Sequence, residues 1–263
     1  MNGKTKNFKL KNQNIQINSF KSVDSTNTVA ADMAKRGCCE GTVVISDAQT
    51  AGKGRLGRTF LSKKGGIYLS LVLRPSLSPD DALFITVAAA VAAARAIERE
   101  SGKKCDIKWV NDIYINRKKV CGILTEGAFA PDGSFDYAVL GVGINLFEPR
   151  DKFPGELPLA DSVFHREDKV LFKKRLKSRV VHSFLETFFD FYNAIEKREF
   201  ICEYKQRSFL TGKEITYKTD EKTYTAIVEG IDDDANLVVN ANGETKTLSH
   251  GDIQIVGMEQ LLI

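Results

Sequence analysis

The chain changes texture at Thr211-Gly212, and that change limits the folds open to it. Ahead of this point, helical and strand patterns interleave. Behind it stand only short alternating segments, EITYKTD, KTYTAIVEGID, NLVVNANG, ETKTLS and GDIQIVG, broken by Gly, Asp and Asn. Such segments predict a small antiparallel barrel or sandwich of about 50 residues. The expectation is an α+β chain: residues 1–211 form a mixed sheet with helices on one face, and residues 212–263 form a second, all-β domain.

Within the first part, SPDDALFITVAAAVAAARAIERESG (78–102) is the clearest helix. Ser78 can cap it, Pro79 fits its first turn, two aspartates face the positive end of the dipole, and Gly102 can close it. DSTNTVAADMAKRG reads as an earlier helix, with Asp24 or Ser25 as cap and Gly37 as terminator. Strands are predicted at 15–20, 42–46, 67–75, 106–108, 113–115, 120–126 and 137–143, with a turn at 116–118. A Pro-rich connector, EPRDKFPGELPLA, leads to an amphipathic helix over about 168–196 and a shorter one to about 208. There is no internal repeat and no low-complexity tract.

Bulk properties exclude several classes. At 43% hydrophobic and 27% charged the chain can bury a core. No apolar run approaches the ~20 residues of a membrane span, and the basic N-terminus lacks the apolar stretch of a secretory signal. A cytoplasmic protein is expected. The five cysteines show no C-x-x-C pair and the three histidines lie far apart, which argues against a zinc site and for reduced, mostly buried thiols. A net charge of +4 suits an anionic ligand but falls short of a nucleic-acid-binding face.

QTAGKGRLGRTF (49–60) carries Gly52, Gly54 and Gly57 at G-x-G-x-x-G spacing. A dinucleotide fingerprint needs a helix straight after its glycines, so that the helix N-terminus can hold the pyrophosphate. Here Gly65-Gly66 and a strand follow, so that reading fails. A Walker loop lacks its Gly-Lys-Ser/Thr, and a kinase loop lacks H-R-D and D-F-G partners. What remains is a strand-to-strand loop with Lys53, Arg55 and Arg58 among glycines. It reads either as a surface hairpin with solubilising charges or as a grip for carboxylate or phosphate oxygens. A second constellation, KWVND (108–112), puts Lys108, Asn111 and Asp112 around the single tryptophan, and KKVCGILTEG (118–127) follows with Lys119. Taken alone, Asn111-Asp112 also reads as a turn with a solvated aspartate and Lys119 as a strand-edge charge.

Taken together, DSTN (24–27), QTAGKGRLGR (49–58), KWVND, KKVCGILTE (118–126) and GVGIN (141–145) resemble the biotin protein ligases, in the family's order, over about 120 residues. The resemblance implies a ligase core like that of class II aminoacyl-tRNA synthetases, followed by an SH3-like barrel. It implies ATP, biotin and Mg²⁺: biotinyl-5′-adenylate forms first, and a lysine of a biotin carboxyl carrier domain then attacks it.

Residue by residue, Ser25, Thr26 and Asn27 match the segment that meets biotin's ureido ring, and Gln49 a contact near its carboxylate. Lys53, Gly54 and Arg55 match biotin contacts in the loop, although Lys53 replaces an arginine and loses its planar fork. Arg55 and Arg58 match phosphate ligands, and Phe60 replaces a tryptophan beside adenine. Lys119 matches the lysine between carboxylate and α-phosphate, Gly122 and Gly141 close backbone approaches to biotin, and Asn111, Asp112 and Asn145 nucleotide contacts. Asp112 is also the implied Mg²⁺ carboxylate. Val110 stands where the family has proline. Lys119 and Arg55 are the implied catalytic pair, and residues 50–66 are expected to fold over the intermediate.

Only 23 residues precede DSTN, too few for a helix-turn-helix, so no operator binding is expected. Homodimers are frequent in the family, but no residue here identifies an interface. A lipoate-type ligase and a non-catalytic biotin or nucleotide sensor are the rival readings.

Overall fold

The computed structural model describes residues 3–257 apart from 12, 152, 156, 158, 171, 220, 221, 250 and 252. His250 and the end of the expected second domain, 258–263, lie outside the described residues. The chain opens with a hairpin of β1 (Lys4–Leu10) and β2 (Gln13–Phe20), turning at Lys11 with φ 50°. Sequence pattern yields only the second of these strands, the preceding residues reading as coil. β1 is a sheet edge, exposed along most of its length and studded with lysines, which blunts an edge against further pairing and also erases its alternation.

α1 (Thr26–Lys35), β3 (Thr42–Ser46), β4 (Ile67–Leu73) and α2 (Ala82–Ser101) follow. Ser78 Oγ accepts from the Asp81 backbone N–H ahead of α2, and Gly102 closes that helix with φ 68°. Then come β5 (Asp106–Lys108), β6 (Asp112–Ile115), β7 (Lys118–Phe129) and β8 (Phe135–Ile144). These eight strands form one sheet in the order β1-β2-β3-β4-β8-β7-β6-β5, and only β2 and β3 run parallel. The large sheet is therefore mixed.

Helices cover both faces of it, not one. α1 lays Ala30 and Ala34 on Val44, Val72, Tyr137 and Val139. On the opposite face α2 and α3 (Lys173–Tyr192) pack over Leu69, Leu71, Leu73, Leu140 and Val142. β4 is buried at all seven positions because it is covered twice. Truncating a side chain such as Leu71, fully buried, removes about 2–5 kcal/mol. α3 starts later than its apolar stripe predicts, since Lys169 and Phe172 adopt left-handed φ of 45° and 56° and break the helix there. α4 (Phe200–Arg207) completes that layer.

β9 (Glu214–Thr219), β10 (Lys222–Ile231), β11 (Leu237–Ala241), β12 (Glu244–Leu248) and β13 (Ile253–Ile255) form a separate antiparallel sheet, ordered β12-β11-β10-β9-β13. Alternate residues Ala226, Val228, Leu237 and Val239 are buried, and the β11–β12 turn uses Asn242 and Gly243 at positive φ. This sheet is seated on the first part of the chain through two backbone acceptors and an ion pair. Trp109 Nε1 donates to Ala235 O at 2.8 Å, Lys108 Nζ to Ile253 O at 2.9 Å, and Arg198 pairs with Asp234 at 2.7 Å. Among the described residues no helix is long and apolar enough to cross a membrane.

Candidate active site

A cleft of about 370 Å³ opens on the α1 side of the large sheet. Its floor is β4, β7 and β8, where side-chain alternation sends Ser70, Gly122, Gly141 and Gly143 to this face. Gly122 and Gly143 are direct cross-strand partners, and the Phe60 ring lies over the pair. A Cβ on Gly143 would stand 2.6 Å from Phe60 Cε1, and one on Gly141 2.2 Å from Asn27 Oδ1. A side chain at either position therefore forces Phe60 or Asn27 to move.

The glycine loop roofs the cleft. As its sequence context requires, it runs from strand to strand; a single 3-10 turn at Arg55–Gly57 interrupts it, with Leu56 at φ 54° and 71% exposed. Both ends are tied. Gln49 N–H donates to Ser62 O at 3.0 Å, Tyr68 OH to Lys63 O at 2.5 Å, and Lys177 of α3 reaches Gly66 O at 2.7 Å. Burial lowers the pKa of Lys177, opposed by the charge of Asp47, and burial raises that of the Tyr68 phenol. In the roof itself Arg55 donates to Asn111 Oδ1 at 3.2 Å and to Gly251 O at 3.0 Å, and Lys53 Nζ lies 3.6 Å from Glu126.

One end of the cleft is neutral and polar. Thr26 donates from N–H and Oγ1 to Gln49 Oε1 at 2.7 and 2.9 Å, and Gln49 Nε2 donates to Ser62 Oγ at 2.6 Å. Ser70 Oγ donates to Asn27 Oδ1 at 2.6 Å. Ser25 is the N-cap of α1 by position, yet its side chain makes no capping hydrogen bond, and Asp24 instead accepts from Ser25 N–H at 2.7 Å.

The other end is charged. Lys119 Nζ stands 2.7 Å from Asp112 Oδ1, with side chains 31% and 19% exposed. That oxygen is buried and accepts no hydrogen bond of sound geometry, so the contact is an ion pair with poor directionality. Asp112 is placed by its pairing with Gly122, and Asn111 by exchange with Ile123: Asn111 Nδ2 donates to Ile123 O at 2.7 Å, and Ile123 N–H returns to Asn111 O at 3.0 Å. The connector backs Lys119, whose N–H donates to Leu159 O at 2.6 Å. Burial, with the Asp112 charge behind it, pushes the neighbouring Cys121 thiol far up.

Ser25, Thr26, Asn27, Gln49, Lys53, Gly54, Arg55, Arg58, Phe60, Asn111, Asp112, Lys119, Gly122 and Gly141 all line this one cleft. Asn145 does not: it is buried behind the wall, its backbone bonded to Val120 and Val163. Sequence reasoning missed Ser70, Glu126, Tyr68, the connector residues Leu157, Leu159 and Ala160, and Ile253 and Gln254 of the second sheet. Ser70 had a signal, as the lone polar residue in IYLSLVL; the connector and second-sheet residues had none.

Known proteins share the sequence and the fold that carry this cleft. Residues 19–145 match the biotin/lipoate A/B protein ligase family, and residues 210–256 the biotin protein ligase C terminal domain. The bifunctional ligase/repressor BirA of Bacillus subtilis is 31% identical over 249 residues, covering 89% of this chain and 72% of that protein. The biotin–[acetyl-CoA-carboxylase] ligase of Mycobacterium tuberculosis is 27% identical over 246 residues, 88% of this chain and 86% of its own. Among solved structures, the biotin protein ligase of Aquifex aeolicus in complex with biotin and ATP superposes with a TM-score of 0.72 at 25% identity, covering 91% of this chain and 97% of that one.

Proposed function

The chain belongs to the biotin/lipoate A/B protein ligase family, and from that premise we propose that it is a biotin protein ligase working through biotinyl-5′-adenylate. In the first step a biotin carboxylate oxygen attacks the α-phosphorus of ATP, the bridging P–O bond breaks, and pyrophosphate leaves. In the second a carrier lysine amine attacks the mixed anhydride, an amide forms, AMP leaves, and the amine proton is lost to solvent. The acceptor is the biotin carboxyl carrier domain of a carboxylase.

The observation that carries this reading is the polarity of one cleft: a neutral hydrogen-bonding end at Ser25–Asn27 and Gln49, and a cationic end with Lys119, Arg55 and Arg58. Such a cleft fits a molecule with an uncharged ring and an anionic tail that must meet a second anion. In this role Lys119 offsets the repulsion between carboxylate and α-phosphate and the charge that builds between them. Arg55 and Arg58 hold phosphate oxygens, Phe60 covers the glycine floor, Gly122 and Gly141 let the ligand approach, and Asn111, with Asn145 from behind, orders the nucleotide side.

The buried Asp112 oxygen that lacks a sound hydrogen bond suits a Mg²⁺ held jointly with phosphates, an ion that needs few protein ligands and supplies charge neutralisation when bound. No Ser or Cys nucleophile is required, because the attacking group arrives on the carrier.

The same proposal assigns residues 1–211 to a catalytic domain of the class II synthetase type, and residues 212–263 to an SH3-like barrel that completes the nucleotide end. It places the ligase in the cytoplasm.

The test is biotin transfer to a carrier domain from ATP and biotin, with pyrophosphate exchange measured separately. Lys119→Met should lower exchange by about 10²–10³-fold, with Arg55→Ala impaired as well. Exchange driven by lipoate and not by biotin would overturn the substrate, and no exchange with either acid would overturn the enzyme.

A further inference from the structure

Glu126 closes the KKVCGILTE segment, and nothing above gives it a task. Its Oε2 accepts from Asn27 Nδ2 at 2.7 Å, and its Oε1 faces Lys53 Nζ at 3.6 Å. The Lys53 pair is nearly half exposed on both sides, so as an ion pair it contributes little. The bond to Asn27 is different, because Asn27 is only 5% exposed, its Nδ2 otherwise reaches only Leu124 O at a longer 3.4 Å, and its Oδ1 partner, Ser70, is fully buried.

A carboxylate and a carbonyl only accept hydrogen bonds, so Glu126, at 2.7 Å the shorter contact, and Leu124 O, at 3.4 Å, turn the Asn27 amide nitrogen toward themselves and its oxygen toward Ser70. The reverse orientation would set two acceptors face to face with no proton between them. Ser70 gives its one hydroxyl proton to Asn27 Oδ1 and Thr26 gives its own to Gln49 Oε1, so the 2.8 Å approach of Ser70 to Thr26 Oγ1 is a contact only. Thr26, Gln49 and Ser62 form a second chain that ends at Phe60 O, 2.9 Å from Ser62 Oγ. The carboxylate thus bears on the polarity of the Asn27–Ser70 pair at the centre of the polar floor.

We propose that Glu126 is a positioning residue, setting the amide of Asn27 and with it the donor–acceptor pattern that the floor presents to the ring end of biotin. The inference rests on the biotin-ligase reading. A floor whose pattern is fixed before the ligand arrives binds without the cost of ordering it. It also distinguishes a cyclic urea from its imine analogue, which has the same shape but carries a donor where the urea has an accepting oxygen.

The test titrates biotin and iminobiotin against wild type, Glu126→Ala and Glu126→Gln, without nucleotide. Glu126→Ala should weaken biotin binding about tenfold or more and shrink the preference for biotin over iminobiotin by a similar factor. Glu126→Gln keeps a carbonyl oxygen for Asn27 Nδ2 and should restore both quantities to within about threefold of wild type. Should the alanine variant be unstable, Glu126→Met keeps the length but offers no strong acceptor, and carries the same test.

An equal loss for both ligands with the preference unchanged, or a glutamine variant no better than alanine, would overturn the positioning role. Wild-type protein that binds biotin while Glu126→Ala binds it equally well sinks this inference alone. Wild-type protein that binds neither ligand sinks the ligase reading beneath it.

Discussion

Gly141→Ala puts the geometry of the cleft floor to a direct test. The added Cβ would lie 2.2 Å from Asn27 Oδ1, 2.9 Å from its Cγ and 3.0 Å from its Nδ2. Ordinary contact begins near 3.4 Å, so the amide must retreat by about 1.2 Å. Asn27 has little freedom to do so, being tied to Ser70 at 2.6 Å and to Glu126 at 2.7 Å. A shift of that size stretches both bonds past hydrogen-bonding distance. One neutral bond and one to a charged group are together worth roughly 2–3 kcal/mol. The displaced amide then occupies space the ligand needs, so binding must either push it back against the methyl or lose its contact.

The expected result is a biotin affinity about 30- to 150-fold weaker by calorimetry, with a Tm lowered by several degrees. Gly141 has an ordinary φ, so backbone strain does not confuse the outcome. Biotin affinity within threefold of wild type at an unchanged Tm would refute the argument that Asn27 is held where it stands.

Other consequences are open to measurement. Trp109→Phe leaves the Ala235 carbonyl without its buried donor and should cost about 1–3 kcal/mol, a Tm fall of a few degrees, together with weaker ATP use, since Asn111 and Asp112 lie two and three residues on. Glu98 and Glu203 sit below their ordinary 4.5: burial alone would raise them, but the hydrogen bonds from Arg207, joined by the Cys105 N–H at Glu98 and by Arg95 at Glu203, outweigh it. A depressed carboxylate stabilises the fold above its unfolded value and loses that contribution as pH falls through the lower folded one. The Tm advantage of wild type over Arg207→Met should therefore hold above pH 4.5 and shrink below it. Thiol reagents at pH 8 should label Cys39 and Cys202, which are exposed, and spare Cys105 and Cys121 until denaturant is added, because burial raises the former to about 12 and the latter further.

Much of this was legible in the chain. α2 announced itself by its cap, its length and its terminal glycine, and the second sheet by its alternation. The failure of a helix to follow the glycine loop was enough to set aside a dinucleotide site. The misses have physical causes. IYLSLVL reads as an alternating strand with a single helical face to cover, yet β4 is buried at all seven positions, and the second covering layer, α1, leaves no mark in that pattern. β1 hid behind the lysines that protect an edge. The far wall of the cleft stayed invisible because its docking runs through the carbonyls of Ala235, Gly251 and Ile253, and every residue has a carbonyl. Lys177 likewise reads as a solvated helix charge until it is seen to hold Gly66.

The presence of Ile253 and Gln254 in the wall has a bearing on biosynthesis. A nascent polypeptide that has emerged only as far as α4 can raise the floor and the roof but leaves one side open. A ligand that needs the complete wall, as the nucleotide does in this reading, meets it only after translation has passed residue 254. During most of synthesis the glycine-lined surface is bare, and it must survive on its own stability or under a chaperone.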